Sequence, residues 1–406
     1  MSQSNSDTKI TYTSDSYPNF AFDITHRDPK SRARLGVLKT PHGDIETPNF
    51  IFCGTKANVK GATSAQVKEA GAQIILANTY HLMLQPGADI VERIGGLHKF
   101  MGWDGPMLTD SGGYQVFAMG HGSVAEEIKG NRAHANTQKS LLKITEEGAA
   151  FRSYIDGKKF MLTPEGSIDI QRKLGADLIV QFDEFSPYHV TKDYTARSMA
   201  LSCRWGDRSL KQFFKHHEGR QAVYSVVQGG VHEDLRIESA QWTADRDFFG
   251  TAIGGSMGKG QDEFYALVDW CMDHVHPHRP VHLLGIGDFD DIFMNVRKGI
   301  DTFDCVSPTR LARHGSALVK GAPGGKINIK NARFRELNEP IDPTANNAVS
   351  HLSCAYIHHL FKAKEMLGMQ LLTLHNMETM TRLMREIREA IKNGTLNALE
   401  KEWVVA

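Results

Sequence analysis

Residues 177–184, DLIVQFDE, are a short apolar run that ends in a carboxylate, Asp183. Two other stretches repeat the pattern: PMLTDSGGYQ places Asp110 after an apolar run, and DTFDCVSPTR places Asp304 in the same way. In parallel barrels the catalytic groups stand at the carboxyl ends of the strands. The three stretches therefore predict strands of one barrel that carry its chemistry at a common rim.

Short apolar or β-branched runs recur along the chain with helical patterns between them, which favours βα units around a parallel sheet. Eight runs are predicted as strands, near 47–53, 72–77, 106–109, 177–182, 222–227, 248–254, 281–286 and 301–304. Eight units predict a (β/α)₈ barrel. A doubly wound sheet is the alternative, but the chain contains neither GxGxxG nor GxxxxGK[ST].

Three further features define the domain organisation. The stretch AAFRSYIDGKKFML alternates around Asp156-Gly157, which predicts a hairpin inserted after the third strand. The stretch TMTRLMREIREAIKNG predicts a helix that ends at Asn393-Gly394. We expect a mobile tail over residues 1–24 and a single barrel domain over 25–400.

The charges of the chain balance, with 47 basic and 47 acidic residues, so any contact with a polyanion must come from a local patch. One such patch is the segment Cys305–Arg335, which contains seven cations and no acid. We call it the basic ribbon; its cations are Arg310, Arg313, Lys320, Lys326, Lys330, Arg333 and Arg335. A basic ribbon beside several carboxylates indicates an enzyme that acts on a polyanion.

Cysteine usage and hydropathy indicate the compartment. The five cysteines are scattered without a CxxC pair, which favours reduced thiols over a disulfide framework. The polar N-terminus lacks the apolar core of a secretory signal, and no stretch has the length of a membrane span. We expect a cytoplasmic protein without a membrane segment.

The predicted strand ends carry carboxylates, one amide and glycine backbone, in Asp110, Asp183, Gln228 and Gly255. Together they predict a pocket for a planar ligand rich in donors, such as the N–H and NH₂ edge of guanine. A single aspartate at a strand end is more often a helix N-cap, so the prediction rests on the whole set.

These residues lie in motifs that resemble the tRNA-guanine transglycosylases, also called queuine tRNA-ribosyltransferases. The matching stretches run in family order from about residue 30 to 393 and include SRARLGVLKTPHGDIETPNF, LTDSGGYQVF, QFDE, VVQGG, AIGGSMG, RPVHLLGIGD, GIDTFDCVSPTR and AYIHHLFKAKE. The resemblance implies a (β/α)₈ barrel that exchanges guanine at the wobble position of GUN-anticodon tRNAs for a 7-deazaguanine. It also implies a homodimer and no cofactor for the chemistry.

The resemblance also implies roles for individual residues. Asp304 is similar to the family's nucleophile on ribose C1′, and Asp110 to the acid/base that handles the proton of the base. The implied base-binding residues are Asp110, Ser111, Gly112, Gly113, Tyr114, Gln115, Asp183, Gln228 and Gly255. The implied tRNA contacts are Gly285, Ile286, Gly287, Asp288, Phe289, Asp290, Asp291, Thr309, Arg310, Leu311, Ala312 and Arg313.

The chain departs from the family at its zinc motif, CxCxxC followed by a histidine. Here the cysteine positions are occupied by Ala345, Asn347 and Ser350, and only His375 remains. We therefore expect that the subdomain at about 331–376 has lost the structural zinc. The alternative is a shifted remnant site made of His351, Cys354 and His375.

Two pocket positions leave the incoming base open. Phe185 follows FDE where a smaller cysteine is common, and Lys259 stands where a glutamate is common. The base is therefore either queuine or its aminomethyl precursor. Two functional alternatives also remain at this point: insertion of a deazaguanine into DNA, and a tRNA-binding subunit of a heteromeric enzyme. Retention of both Asp110 and Asp304 argues against a subunit that only binds tRNA.

Overall fold

A four-stranded antiparallel sheet begins the fold. The computed structural model describes residues 9–121 and 141–405. The sheet runs in the order β1-β2-β3-β4, with β1 Ile10–Tyr12, β2 Ala21–Arg27, β3 Arg34–Thr40 and β4 Gly43–Thr47. It lies at the amino-terminal end of the barrel strands, because Arg34 forms a buried ion pair with Asp301 at 2.6 Å, and Asp301 directly precedes a barrel strand.

Eight parallel strands close into the predicted barrel, in the order β11-β12-β13-β14-β15-β5-β6-β7. They are β5 Asn49–Cys53, β6 Ile75–Ala77, β7 Met107–Thr109, β11 Leu178–Val180, β12 Ala222–Val227, β13 Gly250–Ile253, β14 Val281–Leu283 and β15 Thr302–Cys305. Nearly every strand residue is buried, as expected where helices cover the outer face and side chains fill the interior. All eight predicted strands and the (β/α)₈ fold are confirmed.

Helices surround the barrel and extend beyond it. They are α1 Ser64–Glu69, α2 Thr79–Leu84, α3 Ala88–Ile94, α4 Gly96–Met101, α5 Gly113–His121, α6 Pro164–Leu174, α7 Lys192–Lys215, α8 Glu233–Ala244, α9 Gln261–Met272, α10 Phe289–Arg297, α11 Ser307–Arg313, α12 Cys354–Lys362, α13 Met366–Asn393 and α14 Leu396–Trp403. The long α13 ends at Gly394, which has a φ of 67°, so the predicted stop is confirmed. No helix in the described part of the chain is long and apolar enough to cross a membrane.

Two small antiparallel sheets complete the strands. The predicted hairpin is β9 Ala149–Arg152 paired with β10 Lys159–Leu162, and β8 Leu141–Ile144 adds a third strand to it. The basic ribbon contains the pair β16 Ser316–Leu318 and β17 Lys326–Asn328. The hairpin is inserted between β7 and β11, as the sequence predicted.

The N-terminal segment differs from the predicted tail of residues 1–24. Residues 1–8 lie outside the described residues, but β1 and the start of β2 belong to the first sheet. Tyr17, Phe20 and Phe22 are buried in the main hydrophobic core. The hydrogen bond from Tyr17 Oη to the backbone oxygen of Asp247, 2.7 Å long, ties this segment to the barrel exterior. Aromatic burial therefore moves the start of the ordered domain well before residue 25.

Candidate active site

The carboxyl ends of the barrel strands bring the predicted chemical groups to one rim. Asp110 follows β7, Asp183 lies shortly after β11, Gln228 follows β12 and Gly255 lies just after β13. Asp304 lies within β15, on the other side of β14 from Gly255. The parallel strands of a closed barrel all end on the same side. Residues that are far apart in the sequence therefore meet at this rim.

The carboxylate of Asp110 is held by three donors. It accepts hydrogen bonds from the backbone N–H of Thr79 at 2.8 Å, from the side-chain amide of Gln115 at 2.6 Å, and from the side-chain amide of Asn78. Burial raises the pKa of Asp110 although these donors act to lower it, and the negative charge of Asp304 raises it further. A fixed carboxyl group with a raised pKa is suited to receive and return a proton.

Asp183 and Gln228 form a hydrogen-bonded pair in the pocket. The Gln228 amide donates to Asp183 Oδ2 at 2.6 Å, and Ser111 Oγ donates to Asp183 Oδ1 at 3.2 Å. Burial, above all, raises the pKa of Asp183 to about 6. The amide oxygen of Gln228 is buried and has no hydrogen-bond partner among the described residues. This pair presents acceptors to a ligand that carries N–H donors.

Glycines allow the pocket walls to approach closely. A Cβ on Gly255, whose φ is +80°, would lie 2.5 Å from the Gln228 amide oxygen. A Cβ on Gly113 would lie 2.6 Å from the backbone oxygen of Asp183. Neither position has room for a side chain, so the glycines of the DSGG and IGG motifs are required by packing.

Two aromatic rings border the pocket. Tyr114 packs edge-to-face on Phe185, with ring centroids 5.3 Å apart and planes at 90°. Phe185 is buried, so its bulky side chain packs inside the protein two residues after Asp183. Gly112, with a φ of +81°, forms the turn that leads into α5. The predicted set Asp110 to Gln115 is thus gathered around the same pocket.

Asp304 is bound asymmetrically. Its Oδ1 atom accepts from the backbone N–H of Gly285 and contacts Nε2 of His282, each at 3.1 Å. Among the described residues, its Oδ2 atom accepts only from the thiol of Cys53, at 3.6 Å. A thiol is a weak donor, so Oδ2 keeps its lone pairs available for attack. The carboxylate is almost completely buried, which leaves it little water to compete with.

Sequence reasoning missed several residues that hold this site in place. Asn78 and Thr79 follow the apolar run of β6 and could have been found by the rule that identified Asp110. His282 is a single polar residue inside the apolar strand β14, which is a weaker signal. Arg236 had no signal: it is fully buried in α8 and donates to the backbone oxygens of Val227, Gly230, Gly254 and Ser256. It binds the loops that carry Gln228 and Gly255.

The predicted RNA-contact segments, 285–291 and 309–313, lie at the same rim, but only part of each is accessible. Four of their side chains are buried against the protein: Ile286, Phe289, Thr309 and Ala312. Arg310 is exposed, whereas the amide of Gly285 serves Asp304. This burial restricts any contact through these segments to their exposed side chains and backbone.

The basic ribbon is only partly available to a ligand. Lys320 is half-buried and pairs with Glu386 at 3.0 Å and with Glu402 at 2.7 Å. These carboxylates belong to α13 and α14, which lie far along the chain. For this reason the basic ribbon itself contains no acid near this lysine. Lys320 therefore stabilises the fold, although the sequence predicted that the cations of the basic ribbon contact a polyanion.

The family's structural zinc does not fit the residues present. The remaining histidine, His375, already bonds through both ring nitrogens, to the Asn347 amide at 3.0 Å and to the backbone oxygen of Leu318 at 2.8 Å. His351, Cys354 and His375 do not form a cluster of ligand atoms in the described residues. The shifted remnant site is therefore not assembled.

A different group of metal-ligating side chains does come together, at the opposite end of the barrel. His42 Nδ1 lies 2.6 Å from Asp177, and the imidazoles of His42 and His98 stack with centroids 3.6 Å apart. Stacked rings point their nitrogen lone pairs in parallel planes, so they do not converge on one ion as they stand. The group joins the first sheet to the barrel and has no part in the rim site.

The fold and the site together define a class: a (β/α)₈ barrel that gathers buried carboxylates at the carboxyl ends of its strands. A sequence profile of the Queuine tRNA-ribosyltransferase family matches residues 28–406. A queuine tRNA-ribosyltransferase of Roseiflexus sp. is 48% identical over 395 residues, covering 95% of this chain and 99% of the relative. One of Protochlamydia amoebophila is 46% identical over 378 residues, covering 93% and 96%. A protein of Archaeoglobus fulgidus named as a putative member is 41% identical, covering 92% and 96%.

The chain therefore belongs to the queuine tRNA-ribosyltransferase family. Enzymes of this family are pentosyltransferases, and this chain is one of them.

Proposed function

We propose that this enzyme exchanges guanine at the wobble position of GUN-anticodon tRNAs, those for aspartate, asparagine, histidine and tyrosine, for a 7-deazaguanine. The incoming base is queuine or its aminomethyl precursor. The observation that carries the proposal is the asymmetric binding of Asp304: one oxygen contacts His282 and Gly285, whereas the other has a single weak donor among the described residues.

The geometry supports a double displacement. Oδ2 of Asp304 attacks ribose C1′, the bond from C1′ to N9 of guanine breaks, and its electron pair leaves with the base. Asp110, with its raised pKa, gives a proton to the departing guanine. The second half reverses these steps: Asp110 takes the proton from N9 of the new base, which attacks C1′ and expels Asp304. Two inversions retain the configuration at C1′.

Base selection follows from the acceptors in the pocket. Guanine and 7-deazaguanines share an N–H and an NH₂ group on one edge, and Asp183 and Gln228 offer oxygens to them. The base must leave the anticodon stack to reach this pocket, which costs little in a loop. No cofactor takes part in these steps.

We also propose a cytoplasmic homodimer. The exposed apolar side chains of Tyr356, Met366 and Leu367 lie at the ends of α12 and α13, with exposed fractions of 41%, 83% and 44%. Light scattering of the purified chain should give twice the mass of one chain. A mass of one chain would refute the dimer.

The exchange is tested by incorporation of labelled guanine into a GUN-anticodon tRNA by the purified chain alone. Asp304→Asn should abolish incorporation while tRNA still binds, because the amide is not a nucleophile. Asp207→Asn, which removes a surface carboxylate paired with Arg246 on the barrel exterior, is the matched control and should incorporate normally. Wild-type-like incorporation by Asp304→Asn would refute the role of Asp304.

The two alternatives give different results in the same assay. Insertion into DNA predicts that labelled guanine enters duplex DNA in preference to tRNA. A tRNA-binding subunit predicts that the chain alone incorporates nothing and gains activity from a partner. Adding queuine or the aminomethyl precursor as competitor identifies which base displaces guanine at the lower concentration.

A further inference from the structure

A buried arginine beside the base pocket has no carboxylate partner in the part of the chain that the structure describes. Arg236 in α8 is fully buried, and burial lowers its pKa. Its guanidinium donates to backbone oxygens, at distances between 2.7 and 3.1 Å; they belong to Val227, Gly230, Gly254 and Ser256. A buried charge without a counter-charge is unfavourable, and an apolar side chain of similar size is often more stabilising. Stability alone therefore does not explain an arginine at this position.

One of these hydrogen bonds sets the direction of the peptide that joins Gly254 to Gly255. Nη1 of Arg236 donates to the oxygen of Gly254 at 2.7 Å. The peptide is trans, and in a trans peptide the C=O and N–H groups point in opposite directions. The N–H of Gly255 therefore points away from the guanidinium.

The N–H of Gly255 is available to a ligand. It donates no hydrogen bond to any residue that the structure describes. Within the stretch 251–258, Gly255 alone is partly exposed, and the residues on both sides of it are buried. Backbone donors at the wall of a pocket normally have an acceptor, so this unused N–H indicates that a ligand supplies one.

A rotation of the 254–255 peptide would reverse the chemistry of this wall. It would place the Gly254 oxygen, an acceptor, where the Gly255 N–H, a donor, now stands. Glycine on both sides hinders such a rotation little, because glycine adopts φ angles of either sign. The rotation would, however, break the hydrogen bond with Arg236 and leave a buried charged donor without its acceptor. Arg236 therefore favours one of two orientations that the glycines themselves allow.

We propose that Arg236 is a positioning residue that determines which bases the pocket accepts: it holds the 254–255 peptide so that the wall presents a donor to an oxygen of the base. Guanine and 7-deazaguanines carry such an oxygen at position 6. A base with a poor acceptor there leaves the N–H of Gly255 without a partner, and a site built to form a hydrogen bond rejects a ligand that lacks it. This inference rests on the proposed function, whose base selection it deepens.

The test compares the affinities of three free bases for the whole chain, by equilibrium dialysis of labelled guanine against unlabelled competitors. 6-Thioguanine differs from guanine only at position 6, where sulfur is a weak acceptor, and hypoxanthine lacks only the 2-amino group. The wild type should bind 6-thioguanine about five- to tenfold more weakly than guanine.

Arg236→Met should reduce this ratio of affinities to within about twofold and leave the ratio for hypoxanthine unchanged. Arg236→Lys keeps one donor and should recover part of the discrimination. A general loosening of the pocket would weaken all three bases alike and move neither ratio. Arg246→Met is the matched control, because Arg246 follows the same helix but pairs with Asp207 on the barrel exterior. This control should keep both ratios.

A second variant leaves Arg236 intact and so does not depend on the folding of Arg236→Met, which thermal melting checks. Cell-free translation with glycolic acid at position 255 replaces the N–H of Gly255 by an ester oxygen. This ester variant should lose the discrimination between guanine and 6-thioguanine in the same way.

Equal affinities of the wild type for guanine and 6-thioguanine would overturn the proposal. Full discrimination in a folded Arg236→Met variant, or in the ester variant, would overturn it as well. Failure of the proposed function looks different: the bases would bind with the expected ratios, but the wild type would incorporate no labelled guanine into tRNA. That result would keep the role of Arg236 and refute the exchange, whereas a wild type that binds none of the three bases would refute both.

Discussion

The imidazole of His282 in β14 bridges two residues of β15: Nε2 lies 3.1 Å from Oδ1 of Asp304, the proposed nucleophile. The other nitrogen, Nδ1, lies 2.9 Å from Oγ1 of Thr302. When the Thr302 hydroxyl donates to Nδ1, Nε2 carries the proton and donates to Asp304. His282 and Gly285 together fix Oδ1, so Oδ2 is the atom that we propose attacks the ribose.

We predict that His282→Phe lowers kcat roughly 10- to 100-fold, because a hydrogen bond to a charged carboxylate is lost. KM for tRNA should change little, since His282 is buried in the strand and does not face the RNA. His282→Gln keeps a donor and should recover part of the rate. The measurement is the rate at which a covalent protein–RNA adduct forms on a denaturing gel. An equal loss in kcat for both variants would indicate a packing defect and contradict the role of the hydrogen bond.

The raised pKa of Asp183 predicts that base binding depends on pH. Asp183 must be ionised to accept two N–H donors, and burial places its pKa at about 6. The KM for guanine should therefore rise as the pH falls through about 6. In Asp183→Asn the KM should be high at every pH, without this step. A wild-type KM that stays constant between about pH 5 and 8 would contradict the assignment.

The same pKa predicts a cost in stability. A carboxyl group whose pKa is higher in the folded state binds its proton more tightly there, so the free energy of unfolding falls as the pH rises from about 4 to about 6. Asp183→Asn should raise the free energy of unfolding at pH 8 by roughly 2 kcal/mol, measured by urea titration. Asp177→Asn is the opposite case, because hydrogen bonds with His42 and His98 keep the pKa of Asp177 low despite its burial. That variant should be less stable at pH 8, and destabilisation by both variants would refute the argument.

Gly255 sets the position of the Gln228 amide. A methyl group at Gly255 would overlap the amide oxygen at 2.5 Å, and its φ of +80° is unfavourable for alanine. Gly255→Ala should therefore displace Gln228 and raise the KM for guanine about tenfold or more, with tRNA affinity retained. Gly394→Ala, at the end of α13, has a similar φ of +67° but no neighbour within 4 Å. This control should lose some stability and keep the wild-type KM, and a matching change in KM would contradict the steric explanation.

The sequence predicted those parts of the fold that depend on local patterns. The eight barrel strands are apolar runs bounded by polar residues, and Asp110, Asp183 and Asp304 end or close such runs. The residues that the sequence did not predict are explained by contacts with partners that are far away in the sequence. Arg236 is explained only by backbone oxygens from two other loops, and Lys320 only by carboxylates of the last two helices. The predicted tail failed for the same reason, because the partner of Tyr17 is a loop more than two hundred residues away.

Hydrogen bonds connect the residues that occupy the positions of the predicted zinc motif. Asn347 and Ser350 stand at two of the cysteine positions, and Ser350 Oγ donates to the backbone oxygen of Asn347 at 2.8 Å. The Asn347 amide then contacts His375, whose pKa is lowered by burial, so the ring is neutral and needs no counter-charge. In this arrangement both ring nitrogens of His375 have hydrogen-bond partners without a metal ion.

We therefore predict that the purified protein contains no stoichiometric zinc and that a chelator leaves its melting temperature unchanged. Asn347→Ala should lower the free energy of unfolding by roughly 1 kcal/mol, because His375 Nδ1 would stay buried without a donor. Thr344→Ala, which removes a hydroxyl bound to Asp342 in the same loop, is the control and should cost less because that site is partly exposed. Metal analysis by mass spectrometry decides the first point. One zinc per chain, together with a lower melting temperature in the chelator, would show that other ligands in this subdomain have replaced the cysteines.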